Sequence, residues 1–208
     1  MVKINSELQF QHSILYGTLL GDSDLYPKKG IIQIEQCLQH QESLFWLFEN
    51  LKSLTTGKIP SLVTRLDKRT QTFTKSYRFY TKALFHEWRL LFYNEKGIKK
   101  LPHNFSESLD SVAFTIWFLD DGGKCSGVKK GVFLILDNYT LDEIEIIQHT
   151  FKVRFGIKTQ LHWSGKSSQG LQQKRLTITG DDYSSFYEIV LPIISQIPTM
   201  ENTKLAKI

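Results

Sequence analysis

Cysteine is scarce in these 208 residues: Cys37 and Cys125 are the two present, too few for a disulfide framework, so a reducing compartment is expected. No apolar run approaches the roughly 20 residues of a membrane span, so no membrane partner is expected. The amino terminus, Met1-Val-Lys-Ile-Asn-Ser-Glu7, lacks the apolar core of a secretory signal and the Arg-rich, acid-poor character of a transit peptide. The protein is therefore expected to act where it is made. The six histidines show no metal-ligand spacing. No phosphate-binding glycine loop and no serine or cysteine nucleophile motif occurs, which sets aside those routes to catalysis.

What remains is an ordinary globular composition, 41% hydrophobic and 23% charged, in a chain long enough for one large domain or two small ones. Lys+Arg number 26 against 21 Asp+Glu, a net charge of +5. That excess is compatible with a polyanionic partner without requiring one.

One stretch organises the rest. Leu15-Tyr-Gly-Thr-Leu-Leu-Gly-Asp-Ser23 is an apolar run ending in an acid and a small residue, and Phe114-Thr-Ile-Trp-Phe-Leu-Asp-Asp-Gly122 repeats that plan 99 positions later. Each predicts a helix that buries its sides and carries a carboxylate, Asp22 or Asp121, at its C-terminal end. An anion there is unfavourable by roughly 0.3–1 kcal/mol, so its presence in both copies points to use rather than capping. Gly17 and Gly21 share one helix face, where glycine costs about 1 kcal/mol against alanine. A second backbone is expected to approach that face closely, although Gly21 alone would also read as a cap.

The chain between the copies reads as follows. Residues 1–11 form a polar lead-in and His12 to Gly21 the first helix. Ile31 to Glu35 is a strand after the turn at Pro27-Lys-Lys-Gly30, and His40 to Leu54 is a helix with Leu44, Leu47, Phe48 and Leu51 at its spacing. Ser61 to Leu66 and Thr72 to Tyr80 form a hairpin in which Lys75 breaks the alternation and predicts a slip or bulge. Lys82 to Tyr93 is a second amphipathic helix, followed by a loop to Asn104. The second half repeats the order: a helix over about 108–121, a strand over Val132 to Asp137, and a helix over Thr140 to Phe155 begun by an N-cap and stopped at Gly156. A hairpin of Lys158 to Trp163 with Lys174 to Thr179 turns through Gly165 to Gly170, a helix covers Asp182 to Ser195, and the tail starts at Ile197. Asp22 precedes Pro102 by 80 positions and Asp121 precedes Pro198 by 77, which supports a duplication. The halves divide at 104/105.

Two carboxylates at adjoining helix ends suit a hard, oxygen-seeking divalent cation, whose chemistry serves phosphodiester hydrolysis, with a nearby lysine adding charge stabilisation. Each hairpin is expected to pack one face on helices and leave the other open. The open faces carry Arg65, Thr72, Thr74, Ser76 and Arg78 in the first half, and Gln160, His162, Arg175, Thr177 and Thr179 in the second. These side-chain types read base edges and contact phosphates, although a solvated polar face has the same composition. Strands of about eight residues at roughly 3.3 Å each span about 26 Å, near eight base pairs. Tyr77, Tyr80, Trp88, Trp117 and Trp163 are expected mostly in the core.

The two nonapeptides resemble the signature helices of LAGLIDADG homing endonucleases. Trp117-Phe-Leu-Asp-Asp-Gly-Gly-Lys124 is the more specific match, supported by Lys99-Lys-Leu-Pro102 and Ile197-Pro-Thr-Met-Glu-Asn-Thr-Lys-Leu205. The similarity is to the single-chain, two-motif branch that includes the yeast mitochondrial omega-intron endonuclease. It implies an α+β fold of two pseudo-symmetric αββαββα repeats, with paired motif helices at the interface and antiparallel sheets forming a DNA-binding saddle. It further implies a monomer that cuts both strands of a long double-stranded DNA site with Mg²⁺, or Mn²⁺ in its place.

By that resemblance Asp22 and Asp121 are metal ligands, Gly21 and Asp120 add backbone oxygens, Lys99 or Lys100 and Lys204 are the active-site lysines, and Gln33 helps hold water. Its counterpart in the second half is Asp137 or Asn138, within the divergent Leu136-Asp-Asn-Tyr139. The implied role is spread of a host intron within an organelle, mitochondrion or chloroplast. The alternative from the same resemblance is a group I intron maturase with intron RNA as partner, and a third is a DNA-binding protein without cleavage.

Overall fold

The computed structural model describes residues 6–68, 70–166 and 172–205. Two helices at its centre are apolar nearly all round and buried nearly all round, as such helices must be. They are α1 (Ser6–Leu20), buried from Ser13 to Leu20, and α5 (Ser111–Asp121), buried from Ala113 to Leu119. The first starts well before His12, so the polar lead-in is partly helical. The second starts at Ser111, because the Asp110 carboxylate accepts from the Ala113 N–H at 2.8 Å and caps it. The other Asp110 oxygen accepts the Ser13 hydroxyl at 2.5 Å, tying α1 to the start of α5.

Around this pair lie two four-stranded antiparallel sheets of the same topology. One has the order β1-β2-β4-β3, from β1 (Asp24–Leu25), β2 (Ile32–Cys37), β3 (Ser61–Asp67) and β4 (Thr72–Tyr80). The other has the order β5-β6-β8-β7, from β5 (Gly122–Lys124), β6 (Gly131–Ile135), β7 (Gln160–Lys166) and β8 (Gln172–Thr179). Helices α2 (Gln41–Asn50) and α6 (Leu141–Phe155) follow the second strand of each sheet, and α7 (Asp181–Ile194) closes the second. Thr140 and Glu143 form a reciprocal capping box on α6, and Gly156 ends it at φ 70° in the left-handed region. The fold is α+β, as expected.

Four expectations need correction. The helix predicted over Lys82 to Tyr93 shrinks to α3 (Trp88–Phe92). Residues 82–85 instead bond to turns beside the sheet, with the Lys82 N–H on Leu54 O and the Phe85 N–H on Gly30 O, and Leu84 is left 60% exposed. The tail after Ile197 is α8 (Pro198–Lys204), opened by proline in the first turn. A four-residue turn of helix, α4 (Phe105–Ser108), precedes α5.

The fourth concerns the first hairpin. Lys75 causes no slip: Leu62, Thr64 and Leu66 pair in unbroken register with Tyr77, Lys75 and Phe73. Helix α2 covers only the base of that face, through Phe45 on Tyr77 and Phe48 on Phe79. Further out Phe73 is 70% exposed, so nothing there selects against a lysine. The irregularity falls instead in the second hairpin, between Ser164 and Lys166. The loop expected at Gly165 to Gly170 lies largely outside the described residues. Of the aromatics, Trp163 is 51% exposed rather than core, whereas Trp117 is fully buried.

Candidate active site at the ends of the paired helices

The approach of α1 to α5 is set by glycine. A Cβ on Gly17 would lie 2.5 Å from the Ala113 carbonyl oxygen and 2.8 Å from Ile116 Cβ. One on Gly21 would lie 2.6 Å from an Asp120 carboxylate oxygen. Both glycines are therefore contact positions, and Gly21 is more than a cap.

This closeness brings the C-terminal ends of α1 and α5 together, and with them three acids. The Asp120 carboxylate accepts the Asp22 N–H at 3.3 Å and the Gln36 side-chain amide at 2.7 Å. The Asp121 carboxylate accepts the indole N–H of Trp117, one helical turn back, at 3.0 Å. Asp22 is exposed at the mouth of the site. Two lysines come in from outside the helices. Lys99 donates to the Gly21 carbonyl, and Lys204, itself buried, donates to the Gly122 carbonyl at 2.7 Å. The Tyr139 hydroxyl closes the floor by donating to Leu20 O at 2.9 Å.

The electrostatics follow from crowding like charges in a low-dielectric place. Burial, then repulsion from Asp22 and Asp121, raises Asp120 well above the usual carboxylate range. Burial and the charge of Asp22 push Asp121 up to about 7, against smaller opposing effects of the Trp117 hydrogen bond, Lys99 and Lys204. Both lysines are lowered by burial, with the acids resisting that change. A divalent cation would relieve this repulsion, and an all-oxygen donor set suits a hard ion.

Among the described residues no group of three or more His, Cys, Asp or Glu is arranged to hold a metal ion. The fit is thus to an ion that takes one or two carboxylates here and fills its shell with water or substrate phosphate, as Mg²⁺ does. The Gly21 carbonyl named as a ligand already accepts Lys99.

The structure separates the paired lysine candidates. Lys99 reaches the acids, whereas the Lys100 main chain bonds Phe92 O and its side chain lines a different pocket with Arg89 and Tyr93. It also separates the glutamines. Gln33 lies on the open face of β2, accepting from the Tyr26 hydroxyl at 2.9 Å. Strand alternation turns Gln36, three residues on, to the buried face and onto Asp120. Sequence reasoning missed Gln36; the period-2 alternation of β2 was the signal that could have found it. In the second half the motif offset places Gly123 on Asp24, and their partners are Phe133 and Gln33. Leu136, buried, thus stands where Gln36 stands. Asp137, one expected counterpart, accepts the Lys174 N–H at 2.8 Å in the sheet.

The expected residues share one face of each hairpin, although not all of them are open. Arg65 pairs with Thr74, and Thr72, Ser76 and Arg78 share their face by alternation. Gln160 pairs with Thr177 and His162 with Arg175, and Thr179 lies opposite Gly131 on the same side. Thr72, Thr74, Gln160 and His162 are exposed, and Thr177, Thr179 and Arg175 half-buried. Ser76 is buried.

A profile of the LAGLIDADG DNA endonuclease family matches residues 12–186, spanning both motif helices and both sheets. The chain belongs to that family. It is 29% identical over 196 residues to the cytochrome b mRNA maturase bI2 of Debaryomyces hansenii, covering 90% of this chain and 71% of that one. It is 26% identical over 203 residues to the protein of the same name from Saccharomyces cerevisiae, covering 91% of this chain but 46% of the relative, so it spans less than half of that protein. The fold is similar to that of the homing endonuclease I-WcaI bound to its DNA recognition sequence, with a TM-score of 0.81 at 20% identity over 99% of this chain and 90% of that one.

Proposed function

We propose that this LAGLIDADG chain is a site-specific DNA endonuclease that hydrolyses phosphodiesters on both strands of a long duplex site. The observation that carries the reading is the meeting of Asp22, Asp120 and Asp121 with Lys99, Lys204 and Gln36 at the paired helix ends. Residues 1–104 and 105–208 act as its two halves, within one monomer. Asp22 and Asp121 would hold Mg²⁺, or Mn²⁺, each serving one strand. Bound there, the ion supplies polarisation of the scissile phosphate and neutralisation at the leaving oxygen.

The chain's own groups do the rest. Lys99 and Lys204, fixed on backbone carbonyls, present positive charge to the pentavalent phosphate as negative charge develops. Gln36 orients polar groups around Asp120 on one side only. The open sheet faces, with Arg65, Thr72, Thr74, Ser76, Arg78, Gln160, His162, Arg175, Thr177 and Thr179, bind backbone and base edges. An organelle is the proposed compartment, and the cytochrome b maturase names of the relatives favour the mitochondrion over the chloroplast.

Those names also support a second reading, assistance to intron RNA splicing, with or without cleavage. The test compares binding to the host intron RNA with binding to the duplex of the intronless exon junction, and then adds Mg²⁺. Tight junction binding followed by cleavage supports the endonuclease. RNA binding with an uncut, unbound junction supports the maturase.

A further inference from the structure

The open face of the first sheet carries a charge that a simple DNA-binding surface would not include. Glu35, in the middle of β2, stands directly across from Arg78. Its carboxylate accepts from Arg78 Nε at 2.6 Å, from Arg65 Nη2 at 3.0 Å, and also from Arg65 Nη1 and the Ser76 hydroxyl. Arg78 is held further by the Tyr80 hydroxyl, to which it donates at 2.9 Å. Three of the five side chains expected to contact DNA in this half are thus gathered on one acid.

For affinity alone this is counterproductive. The carboxylate repels phosphates and offsets one of two arginine charges on a surface meant for a polyanion. For reading bases it is useful. Each arginine otherwise carries about 2 kcal/mol of rotamer freedom, and the network removes much of it before any partner arrives. A guanidinium has five N–H donors; Glu35, Ser76 and Tyr80 take some of them and leave others fixed in direction. Fixed guanidinium donors suit guanine O6 and N7 in the major groove.

Among the described residues the second half has no such arrangement. Ile135 occupies the place of Glu35, opposite Arg175, and the Arg175 guanidinium lies 4.5 Å over the Phe133 ring instead.

We propose that Glu35 is a specificity-determining positioning residue: it holds Arg65 and Arg78 as directed donors for base edges and withholds them from phosphates. This rests on the DNA-binding reading above. Because the acid is confined to one half, its effect is confined to the base pairs under that half.

The experiment uses the full chain as wild type, Glu35→Gln and Arg78→Gln, each checked by thermal midpoint. Each is selected against a randomised duplex library and sequenced, and each is titrated with unselected random duplex across about 50–200 mM KCl, where counterion release sets the slope. Glu35→Gln keeps the shape and an acceptor for Ser76 but loses the charge. Expected for it are tighter binding to unselected duplex, a salt slope steeper by about 1–2 from one or two new phosphate contacts, and about tenfold less discrimination at adjacent base pairs in one half-site. Arg78→Gln loses discrimination at the same base pairs without the steeper slope.

Unchanged selection and slope in Glu35→Gln overturn the proposal. So does loss of information across the whole site, the mark of a structural role alone. A wild type that enriches no sequence overturns the proposal together with the DNA-binding reading, whereas wild-type enrichment with an indifferent Glu35→Gln removes the proposal and leaves that reading standing.

Discussion

Replacing Gly17 by alanine puts opposing effects of known size into one methyl group. Alanine is favoured over glycine within a helix by about 1 kcal/mol, so a free α1 would gain stability. In the folded protein the new Cβ meets backbone, the Ala113 carbonyl oxygen at 2.5 Å, and Ile116 Cβ at 2.8 Å. Neither can swing away, and α1 and α5 must separate by roughly an ångström to reach ordinary contact near 3.5–4.0 Å. Overpacking of this kind costs about 1–3 kcal/mol. With both contacts made by groups that cannot swing away, the upper part of that range applies and the balance is a net loss of about 1–2 kcal/mol, or roughly 2–8 °C in the midpoint for a chain of this size.

Gly21→Ala meets the Asp120 carboxylate oxygen at 2.6 Å, which can rotate away, and the Asp120 Cβ at 2.7 Å, which cannot. Its stability cost should be of similar size, and displacement of Asp120 from Gln36 and the Asp22 N–H should lower cleavage in addition. Thermal and urea unfolding of both variants, with cleavage rates, checks this. A Gly17→Ala protein as stable as wild type or more so would refute close packing at the helix interface.

Lys99→Met should reduce cleavage by about a hundredfold or more, the scale of losing one charge-stabilising group, with Lys100→Met near wild type; single-turnover rates distinguish them. Gln36→Leu, which makes the first half resemble the second at that position, should slow one strand more than the other, while Gln33→Leu leaves strand bias unchanged on a strand-labelled duplex. The acids predict a pH effect on the metal-free protein. A carboxyl raised in the fold contributes stability below its unfolded value of 3.8 and loses it as pH rises through the folded value, about 7 for Asp121. The ionised fold is then penalised by up to about 4 kcal/mol, so the midpoint in chelator should fall from pH 6 to pH 8, and the gain from added Mg²⁺ should be larger at pH 8.

The motif helices were legible in the sequence because burial on all sides and a terminal acid leave a pattern in consecutive residues. Gly17 read correctly as a contact position for the same reason: a mid-helix glycine has no local use. The open sheet faces were legible from alternation. What escaped depended on contacts between distant residues. Gln36 meets Asp120 across 84 positions of chain, and Lys99 differs from Lys100 only in which side of an irregular loop it faces. The stretch over 82–93 carries an apolar pattern suited to a helix, yet its first residues bond to Leu54 and Gly30 and stay extended or turned. Lys75 broke a pattern that only the helix-covered base of its strand had to obey.

The most direct test of the account is cleavage of a duplex carrying the intronless exon junction, each strand labelled, by wild type, Asp22→Asn and Asp121→Asn in Mg²⁺. Wild type should cut both strands, and each variant should show a severe loss. Full activity in both variants would contradict the assignment of Asp22 and Asp121 as the metal-holding pair.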